Sequence, residues 1–345
     1  MDQLTAHLDR GWDLAHRGDS EGATLSARRA LELDQQSAEA YNLLGYAAAV
    51  TGDFETALDH YRQALTLDDS YLEAMLNAAE IYIHPLADHA AALALCNQAL
   101  ELVETEAELV DTLLLKFDAL LSQGNLDEAK AVCLLFPRGP FENKAHAFLV
   151  GRALYEIGDL EAARPLIEEA AKAAPHNADA FYYLGLLRDE AEDAAGATEA
   201  FLQARALDLE HGPPPWALSR QAFEVTVKRV VTSLSDELRV FLREDEVYIA
   251  ETPGAEVVVD GVDPRAFLLL DAQQTEFSQN DIATPIEPVR ARLFVYQRNI
   301  ERVAGQVDLI ERELRSALER ELRAHFVEGD IAPPLPPRTS SDKLN

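Results

Sequence analysis

Small residues recur through the first two-thirds of the chain at a fixed spacing, and polar residues fall between them where turns are needed. Gly11 and Gly45 lie 34 residues apart, as do Gly18 and Gly52, and Gly151 and Gly185. Around them, apolar residues recur three and four apart, the period of helices that bury one face. The second copy is the clearest. Tyr41, Leu44 and Gly45 fall on a first helix, Gly52-Asp53 at a turn, and Ala57, Tyr61, Ala64 and Leu65 on a second helix. The first copy repeats this with Gly11, Leu14, Gly18-Asp19, Ala23, Ala27 and Ala30. The fifth has Gly151, Leu154, Gly158-Asp159, Ala163, Ile167, Ala170 and Pro175; the sixth has Phe181, Leu184, Gly185, Ala197, Phe201 and Ala204. Small side chains at fixed sites let backbones approach where larger ones would not fit. The third copy (Met75, Tyr82, then Ala92-Leu93 to Ala99-Leu100) carries one inserted residue near His84-Pro85. The fourth (Gly124-Asn125, Ala129, Cys133) is cut short by Phe136-Pro137-Arg138-Gly139-Pro140. Six helix–turn–helix units are expected, over residues 4 to 211.

A helix–turn–helix unit of 34 residues is the signature of the tetratricopeptide repeat, and this part of the chain resembles that family. The resemblance implies a right-handed α-superhelix whose first helices line a groove that binds a protein or peptide. By register that groove presents Trp12, Asn42, Tyr46, Leu76, Glu80, Phe148, Arg152, Tyr155, Tyr182 and Leu186, with Asp118 among them. The family's clamp for C-terminal carboxylates needs Lys, Asn and Arg at set positions, and only Asn42 and Asn77 correspond. Aromatic and aliphatic lining instead suits an apolar peptide face or a packed neighbouring domain. The competing expectation is that Trp12 and Tyr46 simply pack between repeats.

The repeat pattern stops at Glu210-His211-Gly212-Pro213-Pro214-Pro215, which no helix can cross. Beyond it, Ala222, Val225, Val230 and Val231 predict a helix, and Ser235-Asp236-Glu237 the capped start of a short one. Glu246–Glu251 reads as a strand, and so do Glu256–Val259 and Phe267–Leu270. Arg292-Leu293-Phe294-Val295-Tyr296 is a further strand, followed by Gln297-Arg298-Asn299-Ile300-Glu301-Arg302. Val307, Ile310, Leu314, Ala317 and Leu318 then place one buried face on a helix from Val307 to Phe326.

Strand, Arg-Asn-Ile-Glu-Arg and long helix resemble the small zincin-like metallopeptidase family of bacteria, whose helix ends in H-E-x-x-H-H-F. On that motif Glu321, His325 and Phe326 match, while Arg320 and Ala324 replace the two zinc histidines. In such a site one helix face presents two imidazoles to zinc, and the glutamate takes a proton from the bound water. Ala324 has no donor atom, and Arg320 sets a fixed cation where a dication would sit. The resemblance thus implies a zincin scaffold with its metal site dismantled, no zinc and no cofactor. Glu328 and Asp330 lie near the family's acidic third ligand, but Val327 replaces its glycine. The competing expectation is a metal-dependent peptidase with unorthodox ligands, using Glu321 and His325, which are four apart.

Composition narrows the picture further. With 61 acidic against 30 basic residues, the formal charge of −31 disfavours nucleic acid and anionic membranes. Cys96 and Cys133 show no C-x-x-C spacing and suit a reducing compartment. A leader with a basic start and apolar core is not apparent, and no run of ~20 apolar residues follows, so a cytoplasmic chain is expected. The segment from Gln273 to Glu287 reads as a polar loop. Residues 332–345 read as a disordered tail, whose Pro333-Pro334-Leu335-Pro336-Pro337-Arg338 also fits an SH3-type ligand.

The expected architecture is mainly α: a repeat solenoid over residues 1–211, a small α+β zincin-like domain over 212–331, and the tail. The expected function is a non-catalytic scaffold or adaptor, a pseudopeptidase that binds a polypeptide. A third expectation makes the second region only a cap on the solenoid.

Overall fold

The computed structural model describes residues 2–272 and 290–327. The loop from Gln273 to Glu287, Glu328, Asp330 and the proline-rich tail lie outside the described residues. The chain divides into two compact units, one running to Ala170 and the other starting at Ala171.

Helical hairpins build the first unit. They are α1 (Gln3–His16) with α2 (Ser20–Leu33), α3 (Ala38–Val50) with α4 (Phe54–Leu67), and α5 (Leu72–Ile83) with α6 (His89–Leu100). Then come α7 (Glu106–Ser122) with a short α8 (Leu126–Cys133), and α9 (Lys144–Glu156) with α10 (Leu160–Ala173). A sixth hairpin, α11 (Ala178–Glu190) with α12 (Ala194–Glu210), belongs to the second unit.

One device joins the helices of each hairpin. A residue in the left-handed region ends the first helix, and the next residue caps the second. Gly18, Gly52, Gly124 and Gly158 hold φ of 79°, 82°, 79° and 85°. Asp19, Asp53, Asn125 and Asp159 follow them and accept from the backbone N–H of Gly22, Thr56, Glu128 and Ala162. Glycine suits the first position because it meets no Cβ penalty there, and Asp or Asn suits the second because its oxygen satisfies an orphan N–H. The third and sixth hairpins keep the geometry without the glycine: Ala87 takes φ 52° and Glu192 φ 59°.

Within a hairpin, the glycine of the first helix is a contact point. A Cβ on Gly45 would stand 2.5 Å from the Tyr61 ring, which is buried against it. Between hairpins, α1, α3, α5, α7 and α9 touch in succession, and α2, α4, α6 and α8 each pack against the first helix of the next hairpin. The first helices therefore form one continuous layer.

In the second unit, α12 leads to α13 (Arg220–Ser233), α14 (Asp236–Arg239), β1 (Leu242–Ala250), α15 (Ala255–Val259) and β2 (Leu268–Ala272). Beyond the undescribed loop come β3 (Ala291–Tyr296), α16 (Gln297–Ala304) and α17 (Ile310–Leu322). The three strands order as β1-β3-β2, with β3 parallel to β1 and antiparallel to β2. Ala291, Leu293 and Val295 alternate onto one face of the central strand, and all are fully buried. Phe223 and Val227 of α13, Ile300 of α16, and Leu314 and Leu318 of α17 close over them. That alternation is the period of a strand with one face on a core.

Four expectations for this region need correction. Glu256–Val259 is not a strand but part of the single-turn helix α15. Valine favours strands because it fits a half-buried pleated surface, but here α12 is the neighbour, and Val258 alone is buried. Val225 is exposed; Phe223 and Val227 supply the buried face of α13 instead. The last helix is not continuous from Val307. A 3₁₀ turn (Val307–Leu309) precedes α17, a π-helical segment (Arg323–Val327) follows it, and Val307 is exposed. Ser235 precedes α14 without a side-chain capping bond.

Candidate functional site

Because consecutive first helices pack side by side, residues one repeat apart form rows across their layer. One row reads Trp12, Tyr46, Glu80, Asp118, Arg152 in the first unit, and Leu186 holds the matching place in the sixth hairpin. It passes from aromatic to acidic to basic.

The aromatic end is a cluster of three half-exposed or exposed rings. The Trp12 and Tyr46 centroids are 5.5 Å apart at 64°, and His16 lies 6.0 Å from Trp12 and 6.1 Å from Tyr46. Trp12 Nε1 donates to Glu39 Oε1 at 3.1 Å, which fixes the indole and places a carboxylate beside it. Edge-to-face rings of this kind form a firm platform that loses little entropy when covered. Asn42 is fully buried beneath: its Nδ2 donates to the Tyr71 hydroxyl and its Oδ1 accepts from Asn77. It is a strut between repeats. Leu76 is partly exposed beside it.

Acidic groups crowd the middle of the row. Glu80 keeps accessible surface, yet its recess among the helices removes enough water to raise its carboxyl above the usual range. Burial pushes Asp118 up to about 6, Arg152 opposing and Glu80 reinforcing. Arg152 stands 3.7 Å from Asp118 Oδ1 and 3.7 Å from Glu156 Oε1, so one guanidinium faces two buried carboxylates. Asp118 Oδ1 is buried and accepts no hydrogen bond among the described residues.

Other groove positions are closed. Phe148, Tyr155 and Tyr182 expose 5%, 8% and 8% of their surface. For Tyr182, Arg265 and Asp263 of the second unit supply cover. The Arg265 guanidinium sits 4.4 Å over its ring, and its hydroxyl donates to Asp263 at 2.9 Å. Arg265 also donates to both oxygens of Asp208, at 2.9 and 3.1 Å, and lies 2.7 Å from Asp179. Arg302 reaches the same two carboxylates at 3.0 and 2.6 Å. Burial alone would raise Asp179, but Arg265 and then Arg302 outweigh it and hold the carboxyl below its usual range. Sequence reasoning missed Glu39, His16, Asp179, Asp208 and Arg265. His16 was findable, four residues after Trp12 on one helix face, whereas the others meet partners from distant segments.

At the end of α17, Arg320 Nε lies 3.6 Å from Glu321 Oε1. His325 Nδ1 is placed to donate to the Glu321 carbonyl at 3.0 Å and stands 3.9 Å from its carboxylate. Ala324 is partly exposed, and Phe326 stacks on Phe241 at 4.8 Å. Among the described residues no group of three His, Cys, Asp or Glu is placed to hold a metal, and no helix is long and apolar enough to cross a membrane. Elsewhere, a depression of about 480 Å³ between α2, α3 and α4 is lined by Leu25, Arg28, Leu44, Ala47 and His60.

Comparison with known proteins bears on the helical part. Family models described as tetratricopeptide repeat match residues 38–71 and 149–208. A probable biofilm formation methyltransferase, WspC of Pseudomonas putida, is 38% identical over 68 residues, 20% of this chain and 16% of that protein. Pseudomonas aeruginosa PilF superposes with a TM-score of 0.51 at 21% identity, covering 65% of this chain and 97% of its own. PilW, a type IV pilus biogenesis factor, gives 0.50 at 18% identity, covering 59% and 92%. At such identities the two structures speak to fold alone. Residues 38–71 and 149–208 are thus tetratricopeptide repeats, units that generally mediate protein–protein interaction, and the remaining hairpins share their helix–turn–helix fold.

Proposed function

We propose that the chain is a non-catalytic scaffold that binds a polypeptide across the first helices of its opening repeats. The accessible cluster of Trp12, His16 and Tyr46, continued by Leu76 and Glu80, carries this reading. Aromatic side chains on a rigid layer are the usual anchors of an interface. The closed positions Phe148, Tyr155 and Tyr182 serve packing, which concentrates recognition on the first three repeats.

The region after residue 212 is, in this proposal, a zincin-like module without zinc. The succession of β3, α16 and α17 supports it, together with Arg320 and Ala324 at the two ligand positions. The Arg320 guanidinium beside Glu321 opposes a dication there. Zinc is to be measured by atomic emission after purification without chelator, and substoichiometric metal is expected. One equivalent per chain, lost in His325→Ala, would establish a metal-dependent enzyme with unorthodox ligands instead.

A further inference from the structure

The row across the first helices has a direction. Its first two places are aromatic (Trp12 and Tyr46), and its next two are carboxylates (Glu80 and Asp118). Glu39 adds a carboxylate against the Trp12 indole. Glu80 makes no ion pair or hydrogen bond among the described residues. Asp118 Oδ1 is buried without a hydrogen bond, and its cation, Arg152, is shared with Glu156 and stands off at 3.7 Å from each. Glu80 thus has no counter-charge among the described residues, and Asp118 beside it in the row has one oxygen unbonded. A carboxylate without a salt partner gains from a cation that can reach it, and Glu80 is accessible enough to be reached.

We infer that the groove selects a polypeptide presenting an apolar side chain to Trp12 and Tyr46 and a lysine or arginine to Glu80, in that order along the row. This rests on the groove reading above and adds the chemistry and polarity of the partner. A cation at Glu80 supplies the missing counter-charge, and the whole chain, at −31, draws a basic segment in from a distance. An acidic segment would meet Glu39, Glu80 and Asp118 in turn.

The test uses the full-length protein and three fluorescein-labelled peptides, alike in a Leu-Phe pair and differing in an adjacent Arg-Arg, Gln-Gln or Glu-Glu pair. The Arg-Arg peptide is expected to bind at least about tenfold tighter than the Gln-Gln peptide at low salt, and salt should erode the difference. Glu80→Gln should remove most of that preference. Trp12→Ala should weaken the Arg-Arg and Gln-Gln peptides by the same factor, with circular dichroism confirming that both variants are folded. Equal binding of those two peptides, with Trp12→Ala weakening both, would overturn the cation assignment and leave the groove standing. Failure of the Arg-Arg peptide to bind overturns the assignment. Binding that ignores Trp12→Ala overturns the groove itself.

Discussion

The second and sixth hairpins share one architecture and use it in opposite ways. Each has a first-helix glycine pressed against an aromatic ring of its second helix, Gly45 on Tyr61 and Gly185 on Phe201. Each also carries a first-helix tyrosine, Tyr46 just after the glycine in one and Tyr182 one turn before it in the other. Tyr46 stays half-exposed in an aromatic cluster, whereas Tyr182 is covered by Arg265 and bonded to Asp263. A repeat surface is thus a neutral platform. The chain leaves it open at Tyr46, where the proposed function places docking, and covers it at Tyr182.

The cover at Tyr182 predicts the largest effect of mutation. Arg265→Ala leaves Asp179 and Asp208 buried with Arg302 as their remaining cation and removes the guanidinium from the Tyr182 ring. Removing one partner of a buried network costs about 3–5 kcal/mol, so chemical denaturation should show the second unit unfolding early. Unchanged stability would mean the network is dispensable. Truncating Glu39 to Ala, which removes an exposed bond to Trp12, should cost less than about 1 kcal/mol.

Acid should act on the two regions with opposite signs. Asp118 is raised from its usual 3.8 to about 6 in the fold, so its ionisation opposes folding, in the company of Glu80, Arg152 and Glu156. Lowering pH from 7 through 6 therefore stabilises the first unit at this site. Asp179 is held below 3.8, so its contribution is complete above that value and is lost as pH falls through its lower folded value. Nuclear magnetic resonance titration of the two carboxyls checks the directions. Asp118→Asn should flatten the first response alone.

Turn geometry supplies the smallest effect. Ala87 and Glu192 hold the left-handed place that Gly52 holds in the second hairpin. An L side chain there is strained by about 1 kcal/mol, so Ala87→Gly should raise the melting temperature slightly. Gly52→Ala should lower it by a similar amount.

How much of this was legible in the sequence depends on how locally each feature is determined. The six hairpins were readable because their signals sit within one repeat: a turn residue, an Asp or Asn cap, and small residues at the contacts. Ala87 and Glu192 lacked the glycine but kept the following Asp88 and Asp193, which cap α6 and α12. The strand expectation for Glu256–Val259 failed because three valines report a preference for burial, and α12 rather than a strand supplied it. Register located the row of first-helix residues and set Tyr46 (in line with Leu186) apart from Tyr182 (in line with the buried Asn42). What no period encodes is the cover that Arg265, far along the chain, places over the Tyr182 ring.

The central claim is therefore a contrast between two first-helix tyrosines. The direct measurement sets unfolding midpoint against capture of a polypeptide partner for Tyr46→Ala and Tyr182→Ala side by side. The account predicts that Tyr46→Ala keeps nearly its full midpoint and weakens binding by about 2 kcal/mol or more. Tyr182→Ala should instead lose about 3–5 kcal/mol of folding stability. A Tyr46→Ala variant that binds normally, or that unfolds as early as Tyr182→Ala, would contradict it.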